Sequence, residues 1–475
     1  MPAVAVLAME TTPQARSTQK VRRVAGGGKR PEGKKQPGVC LRPDPKIFHT
    51  TPTDEPLTGL AGLVGFGIFL KHLGVDQALH DAFDSLKSGP SMVYRVGDVL
   101  RLILDAQAVG TPRIFGVEAL ATDPLFVQLA GGMVPSIDVL YDDLRRFGKP
   151  EITLLCKIMV GYGLAPLKDY RAPVLHLDID TTVEPLFGVQ EGAKKGHNSR
   201  YHGRPSYHPL VARVAELNLV VGAQLRPGNT GFGEADIGFL RRVIRDVRRA
   251  VGTHVMIVVR IDSAADCTAV LRALDELGVR FQVPLKMTPD VVQAFMEVPD
   301  EDWITLEDFE GLPVKQVTLV PITRGEWDTQ HVAWEVVGVR EWDKIGGRKL
   351  YLWEGQEWCA KGFISNCWDW DLDEIAEDYD KRAGIEPLIG ELKHGYGIGL
   401  IPTNDFDANH VMFLLKLLTH NLVERFVRSQ HPALASWSIA WKRCFLFRVP
   451  GRLVHHAHRY ELHVPATSPI ARMLN

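Results

Sequence analysis

The sequence predicts a protein of the α/β class with a helical N-terminal part, and three observations lead to this prediction. Between residues 53 and 168, apolar side chains recur at three- and four-residue spacing, which is the period of amphipathic helices. After Ala172 the pattern changes to alternation and short apolar runs, which are typical of strands. Residues 285–371 then carry most of the tryptophans and further strand-like runs, before helical spacing returns near the C-terminus.

The composition is that of an ordinary globular protein large enough for two or three domains. The chain has 475 residues, of which 24% are charged and 45% hydrophobic. Its apolar runs are shorter than the ~20 residues of a membrane span, and no basic residues precede the apolar stretch at 3–9. We therefore expect a cytoplasmic protein with no membrane partner and no secretory signal. The six cysteines have no CxxC spacing, which indicates reduced thiols rather than a cysteine-based zinc site.

A basic N-terminal segment, residues 1–50, differs in charge from the rest of the chain. It carries ten Lys and Arg against three acids, a net charge of +7, whereas the whole chain has a net charge of −2. Its glycine, proline and lysine content predicts a disordered arm, and its charge suits contacts with phosphates. A solvated tail without a partner is the alternative.

Residues 51–170 are predicted to form a helical N-terminal domain. Its apolar-periodic segments are Leu60–Phe83, Val99–Ala108, Val134–Phe147 and Ile152–Leu164. Helices placed before a catalytic core can bind DNA, but helices that serve as packed scaffold have the same pattern. The sequence does not distinguish these two roles.

Residues 171–284 are predicted to form the first part of a mixed α/β core. Three strands are followed by a helix, a strand, a helix and a strand, at Val174–Asp180, Tyr207–Val214, Leu217–Leu225, Ala235–Val251, Val255–Val259, Ala264–Leu277 and Arg280–Val283. The continuous apolar run of the fourth strand is typical of a buried strand inside a sheet. This order, with acids at the ends of the first and fourth strands, is that of a ribonuclease-H-like core.

Residues 285–371 are predicted to be a β-rich insertion in that core. They contain strand-like runs at 314–320, 331–340 and 349–353, and eight of the ten tryptophans of the chain. We expect most of these tryptophans to pack across strands, while one or two could stack on an unpaired base. The second part of the core follows at 372–430, including an amphipathic helix over Asn409–Arg428, and a basic C-terminal segment occupies 431–475.

Four polar side chains follow one another at helical spacing in the second part of the core. Tyr379, Arg382, Glu386 and Lys393 stand at offsets of three, seven and fourteen residues, which place them within about 60° on a helix. Such a face combines a carboxylate for a metal ion with two cations for phosphates, as an enzyme that cuts or joins a phosphodiester requires. Pro387 weakens the prediction of a single face, because a proline removes a backbone donor and can start or kink a helix.

Three acids from separate segments are the candidate catalytic residues and metal ligands: Asp180, Asp262 and Glu386. Two divalent ions about 4 Å apart, held by hard oxygen ligands, are suited to phosphodiester chemistry. Asp178 would face the same side of the sheet as Asp180, but we favour Asp180 because it lies at the end of the strand. Each strand-end aspartate taken alone is more often a cap or turn residue. The order and spacing of the three acids favour the catalytic interpretation.

A basic stretch after the first acid is a further candidate for contacts with DNA. Residues 194–204 read KKGHNSRYHGR, join the first two strands, and contain Lys194, Lys195, Arg200 and Arg204. These cations could hold a DNA backbone beside the acids. A solvated loop explains the same composition equally well.

These residues resemble the DDE transposases of bacterial insertion sequences, in the branch with a Y-x2-R-x3-E-x6-K signature. Residues 379–386 read YDKRAGIE and, with Lys393, match every fixed position of that signature. LDIDTT at 177–182 and VRIDS at 259–263 resemble the first and second acid motifs, with Thr181 where the family usually has a serine. Further similar stretches, within a resemblance that spans roughly 55–465, are YHPL at 207–210 and LRPGN at 225–229.

The resemblance implies a ribonuclease-H-like core with a β insertion before the last acid, in agreement with the order of elements above. It implies two Mg²⁺ ions, for which Mn²⁺ can substitute, bound by Asp180, Asp262 and Glu386. The residues that would grip the transferred strand near its end are Tyr379, Arg382 and Lys393.

The activity implied by the resemblance is cut-and-paste transposition of an insertion sequence. Double-stranded DNA would be cleaved at the terminal inverted repeats, a hairpin intermediate would form, and the strands would be transferred to target DNA. A homodimer would hold the paired ends in a synaptic complex, and such a protein would be associated with the bacterial nucleoid. Two alternatives are a transposase-derived DNA-binding protein without catalysis and a metal-dependent nuclease without strand transfer.

Overall fold

The structure, a computed structural model, describes residues 49, 51–90, 92–196, 202–307, 313–322, 324–328, 334–342, 358–457, 459–468 and 471. The described part of 55–475 forms one compact unit. Three sequence predictions lie wholly or almost wholly outside the described residues: the basic arm at 1–50, the strand at 349–353, and Arg200.

Helices fill most of the described chain before the core. The predicted segment Leu60–Phe83 is divided in two at Gly74, whose φ of +70° is a left-handed conformation that glycine adopts readily. Another helix begins after Asp123, whose carboxylate accepts hydrogen bonds from the amides of Leu125 and Phe126. The helices of this part are α1 Gly62–His72, α2 Val75–Phe83, α3 Val96–Ala108, α4 Val117–Leu120, α5 Pro124–Leu129, α6 Ile137–Leu144 and α7 Lys149–Leu164.

Among the described residues, the strands form one sheet of nine strands and two sheets of three. The strands of the large sheet are β2 Val174–Thr181, β6 Leu210–Val214, β7 Leu219–Gln224, β8 Met256–Arg260, β9 Arg280–Pro284, β10 Ile304–Glu307, β11 Pro313–Leu319, β12 Glu335–Trp342 and β13 Trp358–Ser365. The strands of the small sheets are β1 Leu57–Thr58, β3 Glu184–Pro185, β4 Lys194–Lys195, β5 Pro205–Tyr207, β14 Gly451–His456 and β15 Arg459–His463. The spatial orders are β10-β11-β12-β13-β9-β8-β2-β6-β7, β1-β14-β15 and β3-β5-β4.

Along the chain, the strands and helices of the core follow one another in the predicted order. β2 pairs antiparallel with β6, and β6 pairs antiparallel with β7. On its other side β2 pairs parallel with β8, and β8 pairs parallel with β9. The helices α8, Ile237–Val251, and α9, Thr268–Glu276, precede β8 and β9 in the chain. Because β2 and β8 are parallel neighbours, their carboxyl ends lie at the same edge of the sheet.

The second predicted strand is divided rather than continuous. Tyr207 belongs to β5 of a small sheet, and β6 of the large sheet begins only at Leu210. Pro209 lies between them and has no amide hydrogen to donate, which interrupts a strand ladder.

The strands of the insertion extend the core sheet. β10 to β13 pair antiparallel in sequence, and β13 pairs with β9, with Ile364 opposite Val283. Trp303, Trp327 and Trp334 are buried in the apolar cluster against this sheet, as the packing interpretation predicts.

The remaining helices are α10 Pro289–Glu297, α11 Gly325–Asp328, α12 Leu372–Asp380, α13 Ile385–His394, α14 Phe406–Gln430 and α15 Ile439–Lys442. We expected an amphipathic helix at 409–428, but α14 is buried on nearly all sides, because it contacts α3 and α7 as well as β7. Within the described residues, no helix combines the length and apolar character needed to cross a bilayer.

The large sheet separates two apolar cores where β6 and β7 pass between them. Val211 and Val220 belong to the core made by the N-terminal helices and α14. Ala212 and Val221, the next residues along each strand, belong to the core that contains α8 and α9. Successive side chains of a strand point to opposite faces, so both faces of this part of the sheet are covered.

Candidate active site

The first candidate acid, Asp180, lies at the carboxyl end of β2. Its side chain is 15% exposed, and a guanidinium nitrogen of Arg382 lies 3.6 Å from its Oδ2. Its Oδ1 accepts a hydrogen bond of 2.8 Å from the amide of Thr181. The carboxylate is therefore largely buried, with one cation close to it.

The second candidate acid, Asp262, reaches the same edge of the sheet from β8. The parallel register pairs Asp178 with Arg260, so Asp180 and Asp262 each lie two residues beyond that pair. Asp262 also caps the turn that follows, because its Oδ1 accepts a 3.0 Å hydrogen bond from the amide of Ala264. Asp262 is thus both the cap of this turn and a candidate residue of the site.

The third candidate acid, Glu386, is the second residue of α13 and is exposed. Its negative charge acts on Asp180, which indicates that α13 carries Glu386 near that aspartate. Burial raises the pKa of Asp180 to about 6, and the charges of Asp262 and Glu386 add to this rise while Arg382 opposes it. Three chain segments therefore deliver three mutually repelling carboxylates to one edge of the sheet.

The three carboxylates fit a divalent metal centre. They provide hard oxygen ligands of the kind that Mg²⁺ and Mn²⁺ prefer. The raised pKa of Asp180 indicates that its negative charge is not fully balanced by Arg382. A divalent cation would favour the ionised forms of all three acids.

The four side chains at helical spacing do not lie on one continuous helix, contrary to the sequence prediction. α12 ends at Asp380, residues Lys381–Gly384 form a 3₁₀ turn, and α13 begins at Ile385. A 3₁₀ turn has fewer residues per turn than an α-helix, so it rotates the side chains of α13 relative to those of α12. The four residues therefore do not share the 60° face calculated for one helix. Arg382 lies in the turn itself, and Lys393 lies at the far end of α13.

Tyr379 and Arg382 nevertheless meet beside Asp180. The Arg382 guanidinium carbon is 5.9 Å from the centre of the Tyr379 ring. The tyrosine hydroxyl lies 3.4 Å from the carbonyl oxygen of Ile261, and burial raises its pKa. Two buried guanidinium nitrogens of Arg382, Nε and Nη2, have no hydrogen-bond partner among the described residues. Within the part of the chain that the structure describes, Nη2 makes only the 3.6 Å ion pair with Asp180, which is too long for a hydrogen bond, so the guanidinium presents donors close to that acid.

Lys393 is held by a residue that sequence reasoning missed. Its Nζ is 3.3 Å from Oε1 of Glu184 and donates a 3.0 Å hydrogen bond to the carbonyl of Val183. Glu184 is only 5% exposed and lies in β3, directly after the strand that carries Asp180. A carboxylate four residues after the first acid was the available signal in the sequence.

The basic stretch after the first acid is exposed where the structure describes it. Lys194 and Lys195 form β4 at the edge of a small sheet, and both are exposed. The Arg204 guanidinium lies 5.0 Å from the ring of Phe187, which is 81% exposed. Lys194, Lys195 and Arg204 therefore lie on the surface, and among the described residues no distance ties them to the three acids.

A buried ion network beneath the site was also missed. Asp178 is fully buried; its Oδ1 accepts a 2.7 Å hydrogen bond from Arg260, and its Oδ2 accepts one of 3.0 Å from Arg213. Arg260 also donates to the carbonyl oxygen of Asp378 on α12, at 2.7 Å. Asp178 is thus committed to two arginines, which leaves Asp180 as the acid of β2 that faces the site.

His176, at the start of β2, extends this network to the surface. Its Nδ1 is 2.6 Å from Oε1 of Glu216, and its Nε2 is 2.9 Å from Oδ1 of Asp378. Burial acts to lower its pKa, but the two carboxylates outweigh burial and raise the pKa to about 9. His176 is therefore a cation in the folded protein at neutral pH.

Comparison with known proteins identifies a matching family model and several similar structures. The model described as transposase DDE domain group 1 matches residues 53–475. A piggyBac transposase synaptic complex with hairpin DNA has a TM-score of 0.41 and 12% identity, over 80% of this chain and 81% of that one. A pre-cleavage Mos1 transpososome has a TM-score of 0.17 and 14% identity, over 42% of this chain and 60% of that one. No match was found among curated proteins.

Proposed function

The chain belongs to the transposase DDE domain family, and from this membership we propose that it catalyses metal-dependent, cut-and-paste transposition of a bacterial insertion sequence. One observation supports the proposal: Asp180 and Asp262 lie at the adjacent carboxyl ends of β2 and β8, and the charges of Asp262 and Glu386 both act on Asp180. The β2, β6, β7, β8 and β9 order, with two parallel strands after an antiparallel meander, supports a ribonuclease-H-like core.

The three acids would hold the divalent ions that members of this family use. We propose two Mg²⁺ ions, with Mn²⁺ as a substitute, which would activate the attacking oxygen and stabilise the leaving oxygen. Asp180 and Asp262 come from the rigid sheet, whereas Glu386 comes from a helix that follows a 3₁₀ turn. The position of Glu386 therefore depends on how that turn and α13 are held.

Arg382 and Tyr379 would position the reacting strand. Arg382 has two buried donors without a hydrogen-bond partner among the described residues, and its planar fork suits a phosphate. The Tyr379 ring lies beside it and adjoins the same acids. Lys393 would grip the strand only after exchanging its ion pair with Glu184 for a phosphate.

Exposed cations would hold the DNA further from the reacting bond. Lys194, Lys195 and Arg204 suit contacts with the backbone that set position without reading sequence. Arg200, which lies between them in the chain, belongs to the same proposal. We further propose terminal inverted repeats and target DNA as the substrates, a hairpin intermediate, and a homodimer that holds paired ends.

A cleavage assay on DNA that carries the flanking inverted repeats tests the proposal. The parent chain is compared with Glu386→Gln, which keeps the shape of the side chain but removes its charge. Glu377→Gln is the matched control, because Glu377 is an exposed glutamate on the neighbouring helix α12. We expect Mg²⁺-dependent nicks, hairpins and joined products from the parent and the control, and DNA binding without products from Glu386→Gln.

Other results would decide between the alternatives. Equal binding by all three chains without any reaction would favour a transposase-derived DNA-binding protein. Cleavage without joined products would favour a nuclease. Equal cleavage by the parent and Glu386→Gln would contradict the role assigned to Glu386.

A further inference from the structure

A second group of metal-ligand side chains lies away from the three acids, between α13 and α14. Glu391, His420 and Glu424 each place one ligand atom so that the three atoms lie within 4.8 Å of one another. His420 and Glu424 are four residues apart on α14 and therefore share a face of that helix. Glu391 comes from α13, five residues after Glu386.

The hydrogen bonding of His420 directs a lone pair into this group. Its Nε2 lies 2.8 Å from the carbonyl oxygen of Asn218. A carbonyl oxygen can only accept, so Nε2 carries the hydrogen, and in the neutral ring Nδ1 is left with a lone pair. Nδ1 faces Oε1 of Glu391 at 3.9 Å, which is too long for a hydrogen bond. Histidines that bind metals commonly donate their other ring N–H to a carbonyl in this way.

Four buried polar atoms of this group and of the neighbouring Tyr396 lack hydrogen-bond partners among the described residues. They are Oε1 of Glu391, Nδ1 of His420, Oε2 of Glu424 and the hydroxyl of Tyr396. His420, Glu424 and Tyr396 are fully buried, and the Tyr396 and His420 rings are 5.5 Å apart. Buried polar atoms are nearly always paired, so several unpaired atoms at one point indicate a ligand that belongs there.

The nearby cations Lys442 and Arg443 do not form hydrogen bonds with these unpaired atoms. Lys442 pairs with the other oxygen of Glu424, Oε1, and the other oxygen of Glu391 accepts from the amide of Ile439 at 3.0 Å. Arg443 lies 5.0 Å from the Tyr396 ring, but its guanidinium donates to three backbone carbonyls. These contacts occupy one oxygen of each carboxylate and leave the other, Oε1 of Glu391 and Oε2 of Glu424, without a hydrogen-bond partner among the described residues.

We propose that Glu391, His420 and Glu424 bind a divalent transition-metal ion of the zinc class, with Tyr396 or a water as the fourth neighbour. One imidazole nitrogen and two carboxylate oxygens are ligands that Zn²⁺ takes in proteins. The ligand set differs from the three carboxylates of the candidate active site, which suit Mg²⁺. The ion would tie α13, which carries Glu386 and Lys393, to the buried helix α14.

A cavity reaches one side of this group, at Glu391. Glu391 and Lys442 line a cavity of about 670 Å³ whose wall also includes His394, Arg428 and Trp437. The side chain of Glu391 is 16% exposed, whereas that of His420 is fully buried. An ion entering from the cavity would therefore meet Glu391 before the buried His420 and Glu424.

Zinc retention measures the site separately from the candidate active site. Asp180→Asn and Asp262→Asn are introduced together, so that the other acid cluster no longer contributes to metal binding. This double variant is incubated with zinc chloride, dialysed and analysed for metal. We expect about one zinc per chain in the double variant and after adding Glu377→Gln, and its loss after adding Glu391→Gln or His420→Gln.

X-ray absorption at the zinc edge of the double variant needs no change in the site itself. We expect the scattering pattern of one imidazole with oxygen neighbours. A folded double variant that retains no zinc would overturn the proposal, as would zinc coordinated by oxygens alone or retained equally after Glu391→Gln and His420→Gln. Because this chain lacks two of the three catalytic acids, neither result bears on whether the parent is a transposase.

Discussion

At the scale of single residues, Asp178 and Asp180 show how surrounding residues give two similar side chains different environments. Both point to one face of β2, so periodicity alone cannot choose between them. Arg213 and Arg260 occupy both oxygens of Asp178, while Asp180 keeps a raised pKa of about 6 near Asp262 and Glu386. The choice depends on residues distant in the chain, which spacing along a single strand does not reveal.

Arg382→Gln should lower strand cleavage by about 100-fold, the order observed when one donor to developing charge is removed. DNA binding should change little, because the backbone contacts proposed for Lys194, Lys195 and Arg204 remain. Single-turnover cleavage at saturating protein separates the chemical step from binding. Arg382→Lys should recover only part of the rate, since lysine keeps the charge but not the planar fork. Cleavage by Arg382→Gln at the parent rate would remove Arg382 from the site.

His176 should make stability depend on pH. Its pKa is raised from 6.5 to about 9 in the folded chain, so the folded state holds the proton more tightly than the unfolded state. The stabilisation, at most about 3 kcal/mol, is fully present below pH 6.5 and is lost as pH rises through 9. Lys416, with a pKa lowered to about 7 by burial, has the opposite dependence over an overlapping range.

The prediction for His176 therefore concerns a difference between two chains. The free energy of unfolding of the parent minus that of His176→Gln should fall between pH 6.5 and 9, while the Lys416 contribution cancels. Denaturant unfolding at several pH values measures this quantity. A difference that stays constant with pH would show that Asp378 and Glu216 do not hold a proton on His176.

The candidate site could be predicted from the sequence only in part. Motif and spacing identify the acids at 180, 262 and 386 and the cations at 382 and 393, and in the structure the charges of Asp262 and Glu386 act on Asp180. Glu184, Arg213, Arg260, Asp378 and His176 were missed, because each acts through a partner far away in the chain. The assignment of catalytic roles to the predicted residues stays a prediction until the variants are measured.

At the scale of elements, the strands and most helices followed from periodicity, whereas the interruptions did not. Local patterns predicted β2, β8 and α8 closely, because each has a clear apolar face or run. The division of the helix at 381–384 and of the strand at Pro209 arises from local backbone chemistry and from contacts with other elements. The face calculated for a continuous helix therefore does not exist, and the roles of its four residues stay a prediction.

Arg260→Gln tests the link between the sheet and α12. Arg260 is 2% exposed and bridges Asp178 on β2 to Asp378 on α12. Removing one charge from a buried network leaves the others uncompensated, so we expect a loss of about 3–5 kcal/mol in the free energy of unfolding. Denaturant unfolding measures this loss.

Arg241→Gln provides the matched control for that variant. Arg241 also pairs with a carboxylate, that of Glu276 at 3.3 Å, but both side chains are at least half exposed. An exposed pair of this kind should contribute less than about 1 kcal/mol. Equal effects of the two substitutions would show that the buried network does not hold α12 against the sheet.

At the scale of the whole molecule, the large sheet connects regions that the sequence presents as separate. The insertion strands join it at β9, and the N-terminal helices pack with α14 against β7. Composition along the chain marks where the pattern changes but not which surfaces meet. The boundaries at 51–170, 285–371 and 372–430 therefore describe the sequence, while the packing crosses them.

Charge distribution leads to the last prediction, which concerns the arm outside the described residues. The arm carries +7 and the whole chain −2, so residues 51–475 carry −9, and sequence-independent attraction to DNA should depend strongly on the arm. Removing residues 1–48 should weaken binding at low salt and reduce the slope of log affinity against log salt by about 0.9 for each phosphate that the arm neutralises in the parent. Changing the ten Lys and Arg of the arm to Gln keeps its length and should have the same effect. An unchanged slope in both chains would assign the DNA-binding surface to the folded unit and leave the arm as a solvated tail.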